Sequence, residues 1–353
     1  MTEAADKIGV GLIGYGMASR VFHAPVIEAV PQLRLKKIVE RRGEESRGRH
    51  AGVETVRDVD EVLADECVEL VVVATPNESH FDLARRALTA GKHVVVEKPF
   101  TNTSAEAREL IELARAQGRL VSAHQNRRWD GDFLTVRKIV EGGLLGRLVE
   151  YESHYDRYRN EARPGAWREA AGPGSGILYD LGSHLIDQAL VLFGPPLEVA
   201  ADVRTQREFA KAVDGFEVGL RYDALKVTLK ASMLAREPGP RFVLHGTEGS
   251  FVKHGLDPQE NALKLGLKPK SEGWGEEPEE RWGTINTDVR GLHVRGRVET
   301  FAGDYAAYYC NVADAIRGRA ELNVKPEEAA NTIRIIELAL ESSARKCALP
   351  YSP

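Results

Sequence analysis

Five short apolar runs, rich in β-branched residues and spaced by helical stretches, occupy the first 125 residues. They restrict the fold more than any other feature. They are KIGVGLI at 7–13, LRLKKIV at 33–39, ELVVVAT at 69–75, KHVVV at 92–96 and RLVSA at 119–123. Runs that stay apolar on successive residues suit strands buried on both faces. Between them, 58–66 opens on Asp58, a good N-cap. Residues 77–90 repeat apolar side chains at the helical period through Phe81, Ala84 and Leu88, with Asn77 as cap and Gly91 as stop. Ser104 is the expected cap of a further helix ending near Gly118. Alternation of this kind predicts βαβ units around a parallel sheet.

Beyond about residue 125 the pattern changes. A helix is expected over 131–141. The stretch 148–158 then alternates like a half-exposed strand, and EVAADVRTQ, EVGLRYDA, KVTLKASML and RFVLHGTEGSFVKH read as strands joined by turns. This predicts a mostly antiparallel sheet with one wet face. Residues 267–283, rich in Gly, Pro and Glu, read as a surface loop. Two helices close the chain, one containing Tyr305 to Ile316 and one from Pro326 to about Ala344.

Composition bounds the function. A chain of 353 residues, 42% hydrophobic and 29% charged, can bury cores for about two domains. The formal net charge of −5 gives no general attraction to phosphate backbones, so nucleic acid is not an expected partner. Cys67, Cys310 and Cys347 form no CxxC pair and are expected to be reduced, buried thiols. No apolar run approaches the ~20 residues that span a bilayer. The opening MTEAADKIGVGLIG does not read as a secretory signal. A cytoplasmic protein without membrane contact is the expectation.

Gly14-Tyr15-Gly16-Met17-Ala18-Ser19 follows the first strand. In this position the first glycine permits a tight turn and the second lets the backbone approach a pyrophosphate at a helix N-terminus. Ser19 stands where a third glycine is usual. Glycines that only make turns are the plain alternative, and the strand before the motif weighs against it. Glu40 ends the second strand, where a carboxylate can bind the adenosine ribose of NAD; Arg41 and Arg42 follow, and guanidinium groups can hold the 2′-phosphate of NADP. The two cues oppose each other. The balance leans slightly to NAD, because an acid at Glu40 would repel a phosphate.

Glu97-Lys98-Pro99-Phe100 ends the strand KHVVV, and the carboxyl ends of parallel strands face the ligand crevice. Lys98 therefore points to where a nicotinamide and a substrate would meet, although Lys-Pro can also simply end a strand. Asp180 and His184, four apart in a helical pattern, share a face and can form an oriented base; the alternative is a helix cap and a core histidine. Asp187 follows at helical spacing, with no clear third ligand, so no metal is expected. There is no GxSxG elbow, and no cysteine with a neighbouring base.

Together these pieces resemble the Gfo/Idh/MocA family of glucose–fructose oxidoreductases, inositol dehydrogenases and their relatives. The resemblance rests on GLIGYGMASRVFHAP at 11–25, VVVATPNESHFDLARRALTAGKHVVVEKPF at 71–100 and GILYDLGSHLIDQ at 176–188, and it runs in order along nearly the whole chain. It implies an α/β fold. An N-terminal Rossmann domain with a doubly wound parallel sheet would cover 1–125. A C-terminal α/β domain with a large, mostly antiparallel open sheet would cover 126–353, its last helix able to pack back on the first domain. Such sheets commonly pair, so a homodimer or homotetramer is implied. By position, Lys98 is the lysine of the EKP motif, and Asp180 and His184 are the D-x-x-x-H pair. Thr75, Pro76, Asn77 and His80 match the stretch lining the cofactor, Glu97 and Lys98 its nicotinamide end, and Trp167 and Arg168 a segment reaching toward it. The FHAP and YDLGSHLIDQ stretches are closest to the scyllo-inositol dehydrogenase-like branch. The Glu40-Arg41-Arg42 run departs from the Ser-Arg pattern of that branch's NADP-dependent members.

The implied activity is hydride transfer between nicotinamide and a secondary alcohol or ketone of a sugar or polyol. His184 would act as base, Asp180 would orient it, and Lys98 would hold the substrate oxygen. Asn126, Arg128, Tyr155, Tyr158 and Tyr179 are candidate walls of a substrate pocket expected between the domains; as packing residues the tyrosines would be ordinary. Two other readings share the motifs: a dinucleotide-binding sensor without turnover, and a nicotinamide-dependent glycosidase.

Overall fold

The computed structural model describes residues 7–161 and 169–352. Trp167 and Arg168 lie outside the described residues. The chain divides into two compact units.

The first unit is organised by six parallel strands: β1 (Ile8–Ile13), β2 (Leu33–Val39), β3 (Glu54–Val56), β4 (Leu70–Val73), β5 (His93–Val96) and β6 (Val121–Ala123). Their spatial order is β3-β2-β1-β4-β5-β6, so chain direction across the sheet reverses between β1 and β4. The sequence explains why: β1 and β4 are buried at every residue and can only sit at the centre. The crossovers carry a π-type turn (Ser19–His23) running into α1 (Ala24–Glu28), then α2 (Asp60–Leu63), α3 (His80–Thr89) and α4 (Ser104–Ala116). The cap of α4 is Thr103, not Ser104. Its side chain accepts from the Glu106 N–H while Glu106 returns to the Thr103 N–H, a reciprocal capping box.

This unit runs to Trp129 and then takes in Gln259–Trp274 and Asp304–Ala330. The later segments contribute α7 (Gln259–Lys264) and α8 (Ala306–Ile316). Tyr305, Tyr308 and Tyr309 are fully buried in the first core. Gln259 ties the segments together: its amide nitrogen donates to the Trp129 carbonyl, and its oxygen accepts from Tyr305 N and Trp274 Nε1.

The second unit begins at Asp130. It holds α5 (Gly131–Glu141), a π-type turn (Leu178–Gly182) continuing into α6 (Ser183–Phe193), most of α9 (Pro326–Arg345) and a nine-stranded sheet. The sheet strands are β7 (Leu148–Asp156), β8 (Glu198–Arg204), β9 (Gly215–Arg221), β10 (Lys226–Ser232), β11 (Phe242–Gly246), β12 (Gly249–Lys253), β13 (Gly283–Val289), β14 (Leu292–Val298) and β15 (Leu349–Pro350). Their order is β14-β13-β12-β11-β7-β10-β9-β8-β15. Only β7 and β10 pair in parallel; the other neighbours are antiparallel. Along β7 the residues Tyr151, Ser153 and Tyr155 face the core and alternate with partly exposed Glu150, Glu152 and His154. The β13–β14 hairpin was not expected; its turn is Arg290-Gly291, both at positive φ. Within the loop before it, Glu277 is buried and pairs with buried Lys253 at 2.8 Å.

Two expectations for the cysteines fail on burial. Cys67 and Cys347 are exposed and free, because each falls in the turn after a helix, α2 and α9, rather than on a core-facing position.

Candidate active site

In the first unit the predicted cofactor residues gather at the carboxyl ends of β1, β2, β4 and β5, on either side of the reversal of strand order. Open α/β sheets bind ligands at such a point. Gly14 has φ +95°, and a Cβ there would stand 2.7 Å from the Ala74 carbonyl, so only glycine fits. Gly16 differs: a Cβ there would meet nothing within 4 Å. Space in front of a bare backbone suits the close approach of a pyrophosphate. Arg20 N donates to Gly16 O at 3.1 Å, so helical winding starts at Gly16 and the first turn presents N–H groups that have no partner inside the helix. Ser19 is buried in place of the third glycine, and its hydroxyl donates to the Gly14 carbonyl at 2.7 Å, closing the loop. Tyr15, beside it, hydrogen-bonds His50 Nε2 at 2.7 Å.

Glu40 does not face outward. Oε1 accepts from Glu45 N at 3.0 Å, and Oε2 accepts from Ser46 N at 2.9 Å and Ser46 Oγ at 2.7 Å. Burial would raise its pKa, but the Ser46 and Glu45 hydrogen bonds outweigh that and hold it below the usual carboxylate value. Arg57 braces the same loop from outside, donating to the carbonyls of Glu40 and Gly43. Arg41 and Arg42 are exposed. The repulsion that favoured NAD needs a carboxylate turned to the ribose; this one is turned into its own loop. The residues present fit a dinucleotide, with Glu40 engaged by its own loop and two exposed arginines directly after it.

Thr75, Pro76 and Asn77 follow β4, and Thr75 Oγ1 meets Ser79 Oγ at 2.7 Å. His80 is buried and bridges this loop to the next, Nδ1 lying 2.8 Å from the Pro99 carbonyl and Nε2 3.0 Å from that of Thr75. Lys98 is half-buried directly after Glu97, and the Lys98–Pro99 peptide is cis.

Beneath Lys98 lies a group that motif reading missed. Glu97 Oε1 sits 2.8 Å from His23 Nε2 and 2.8 Å from His124 Nδ1, and Glu97 Oε2 accepts from Lys98 N at 3.2 Å. His23 Nδ1 meets the Tyr309 hydroxyl at 2.5 Å. Burial would raise Glu97, but the hydrogen bonds from His124 and His23 prevail and hold its carboxyl well below the usual range. Burial, assisted by the nearby His23, pushes His124 down to about 4. The consistent arrangement is an ionised carboxylate whose Oε1 accepts an N–H from each imidazole. His23 then carries a proton on Nε2, and its Nδ1 is paired with the Tyr309 hydroxyl. His23, Glu97 and His124 also carry the side-chain types of a metal site. Ligands of a tetrahedral metal with bonds of about 2.0–2.1 Å lie farther apart, at about 3.3 Å. Contacts of 2.8 Å onto one shared oxygen are hydrogen-bond distances.

In the second unit, Asp180 is half-buried in the π-type turn, and buried His184 is the second residue of α6. Four residues across a π-to-α junction still come close to a full turn, so the two stay on one side of the helix. Four residues past His184, Gln188 accepts from Arg241 Nη2 at 2.8 Å, and the buried Arg241 guanidinium stacks 4.1 Å from the Tyr155 ring. This anchors the α6 turn to the sheet.

The remaining candidates differ in accessibility. Asn126 is buried in a 3₁₀ turn (Asn126–Trp129) of the first unit. Arg128 is committed to Glu328 at 2.8 Å and the Asn323 carbonyl at 2.7 Å. In the second unit Tyr155 is 1% exposed and belongs to the core, Tyr158 is exposed under Arg236, and Tyr179 is half-buried beside Asp180. Among the described residues no helix is long and apolar enough to cross a membrane.

Comparison with known proteins agrees with the fold of both units. Residues 8–125 match the oxidoreductase-family NAD-binding Rossmann fold (GFO_IDH_MocA), and residues 137–350 match the C-terminal alpha/beta domain of the same family. The chain is 42% identical to scyllo-inositol 2-dehydrogenase (NADP(+)) IolW of Bacillus subtilis, over 97% of this chain and 95% of that protein. It is 42% identical to the oxidoreductase YdgJ of Escherichia coli, over 98% of this chain and 99% of that one. Among solved structures, the oxidoreductase YvaA of Bacillus subtilis superposes with a TM-score of 0.95 at 41% identity, covering 98% of this chain and 99% of that one.

Proposed function

Because this chain belongs to the Gfo/Idh/MocA oxidoreductase family, we propose that it transfers a hydride between a nicotinamide dinucleotide and a secondary alcohol or ketone on a cyclic polyol or sugar. The observation that carries the reading is the gathering of Gly14–Ala18, Thr75–Asn77 and Glu97–Lys98 at the reversal of strand order in the first sheet. The relative named as a scyllo-inositol 2-dehydrogenase supports the polyol class. The bound cofactor supplies the two-electron acceptor or donor. The chain's own residues handle the proton and the oxygen. Lys98 would hold the reacting oxygen and favour its developing negative charge, His184 would take the hydroxyl proton, and Asp180 would orient the imidazole and stabilise its charged form.

Within this reading the cofactor is NADP(H). Engagement of Glu40 by Glu45 and Ser46 supports it, as do exposed Arg41 and Arg42 and the NADP(+) dependence in the name of IolW. Free, exposed Cys67 and Cys347 suit a reducing compartment, so we assign the protein to the cytoplasm. Copies would pair through the nine-stranded sheet, as homodimer or homotetramer.

The test is nicotinamide absorbance with NADP+ or NAD+ and a panel of inositols, aldoses and sugar acids. Turnover of a few polyols with NADP+ is expected. Lys98→Met should keep cofactor binding and lose about 10²–10⁴ of the rate. Normal turnover by that variant would remove Lys98 from the mechanism, and an inert wild-type protein that binds cofactor tightly would favour a sensor.

A further inference from the structure

We propose that Glu97, clamped by His23 and His124, is a positioning residue: it holds the Lys98 backbone N–H and thereby fixes the peptide from which the lysine side chain departs. The role of Lys98 is taken from the reading above; the clamp is read from its own geometry. Three elements converge on one carboxylate. His23 ends the π-type turn before α1, Glu97 follows β5, and His124 follows β6, the strand beside β5. His124 N also donates to the Val96 carbonyl at 2.8 Å, so the two strand ends are already in register. Both imidazoles donate to Oε1, which leaves Oε2 for Lys98 N at 3.2 Å. The Tyr309 hydroxyl, from α8, occupies the far nitrogen of His23 and holds the ring with Nε2 toward Glu97.

Packing alone does not call for such a group. Removing an ionised carboxylate from water costs several kcal/mol, and an apolar side chain of the same size would fill the space more cheaply. What an apolar residue cannot do is accept three N–H donors from three directions. That number fixes the rotamer of Glu97, and with it the plane of the Glu97–Lys98 peptide. A lysine that must meet a reacting oxygen within a narrow geometry gains from a fixed origin, since a misplacement of about 1 Å can cost about 10²-fold in rate.

Glu97→Gln keeps the shape and removes one acceptor. If its oxygen faces the histidines, its NH2 opposes the Lys98 N–H; if it is flipped, it opposes the histidines. The readouts are hydrogen–deuterium exchange at the Lys98 amide and kcat. The exchange signal is clean, because Pro99 has no N–H. We expect faster exchange at Lys98 and kcat reduced by about 10²-fold. Unchanged exchange at Lys98 would overturn the clamp. Faster exchange with unchanged kcat would overturn its role in positioning. If Glu97→Gln does not fold, His124→Leu removes a single donor and should shift both readouts in the same direction; no shift would also refute the proposal. A wild-type protein inert toward every polyol would refute the functional reading instead, and the exchange measurement would still decide whether Glu97 holds the backbone.

Discussion

Substituting Glu40 by Gln separates two accounts of cofactor choice, because they demand changes of opposite sign. The carboxylate now accepts from Glu45 N, Ser46 N and Ser46 Oγ. An amide has one acceptor oxygen. With that oxygen at the Ser46 side, the amide NH2 faces the Glu45 N–H, so one hydrogen bond is lost and the other two fall from charged to neutral strength. Hydrogen bonds to charged groups contribute about 1.5–3 kcal/mol and neutral ones about 0.5–1.5. The loop over 41–46 should therefore lose roughly 3.5–6 kcal/mol of local stability. Arg41 and Arg42 ride on that loop, and part of the loss reaches a bound 2′-phosphate. At 1.4 kcal/mol per tenfold, NADP+ binding should weaken by about tenfold or more, while NAD+, with no phosphate to hold, changes little. Titration calorimetry with both dinucleotides gives the ratio of the two dissociation constants. If Glu40 were instead a ribose ligand, the variant would weaken NAD+ and spare or improve NADP+. That outcome would refute the reasoning.

Three other outcomes follow from the geometry. Gly14→Ala places a Cβ against the Ala74 carbonyl at a positive φ, so both the thermal midpoint and dinucleotide affinity should drop; an unchanged midpoint by calorimetry would contradict the strained turn. Stability should fall as the pH drops from about 6.5 toward 4, because His93 and His124 are held to about 4 and the unfolded chain takes up those protons first. Burial is the main cause at both, with Arg119 adding to it at His93 and His23 at His124. Urea midpoints across that range test this, and His124→Leu should flatten the curve; a flat wild-type curve would contradict it. Light scattering after gel filtration should give twice or four times the chain mass, and charge reversal on β9 and β10, at Glu217 and Lys230, should lower it; a monomer in both cases would remove the sheet as a pairing surface.

Much of the fold was legible because the information was local. Uninterrupted apolar runs at 70–73 and 94–96 can only be interior strands, and Gly91 and Gly118, both at positive φ, end helices where expected. The Thr103 cap was misread by one residue because Thr103 and Ser104 both bear cap-forming hydroxyls; Glu106, three residues beyond Thr103, was the available discriminator. The β13–β14 hairpin escaped because β14 is exposed along most of its length, leaving Arg290-Gly291 as the only signal. The Glu97 cluster was not legible at all. Its partners lie 74 residues before and 27 after it, and Tyr309 is 286 residues from His23, so only the folded sheet brings them together. Glu40 shows the opposite case. Its partners are five and six residues away, but a carboxylate at the end of β2 can serve ribose or loop, and only its orientation decides.

The most direct test of the central claim follows the hydrogen itself. A cyclitol deuterated at its ring carbons, incubated with the protein and NADP+, should deliver deuterium to the nicotinamide ring with a primary isotope effect. His184→Asn should slow that delivery while leaving dinucleotide binding intact. Deuterium lost to water with no label on the nicotinamide would contradict hydride transfer, and undiminished transfer by His184→Asn would contradict the assigned base.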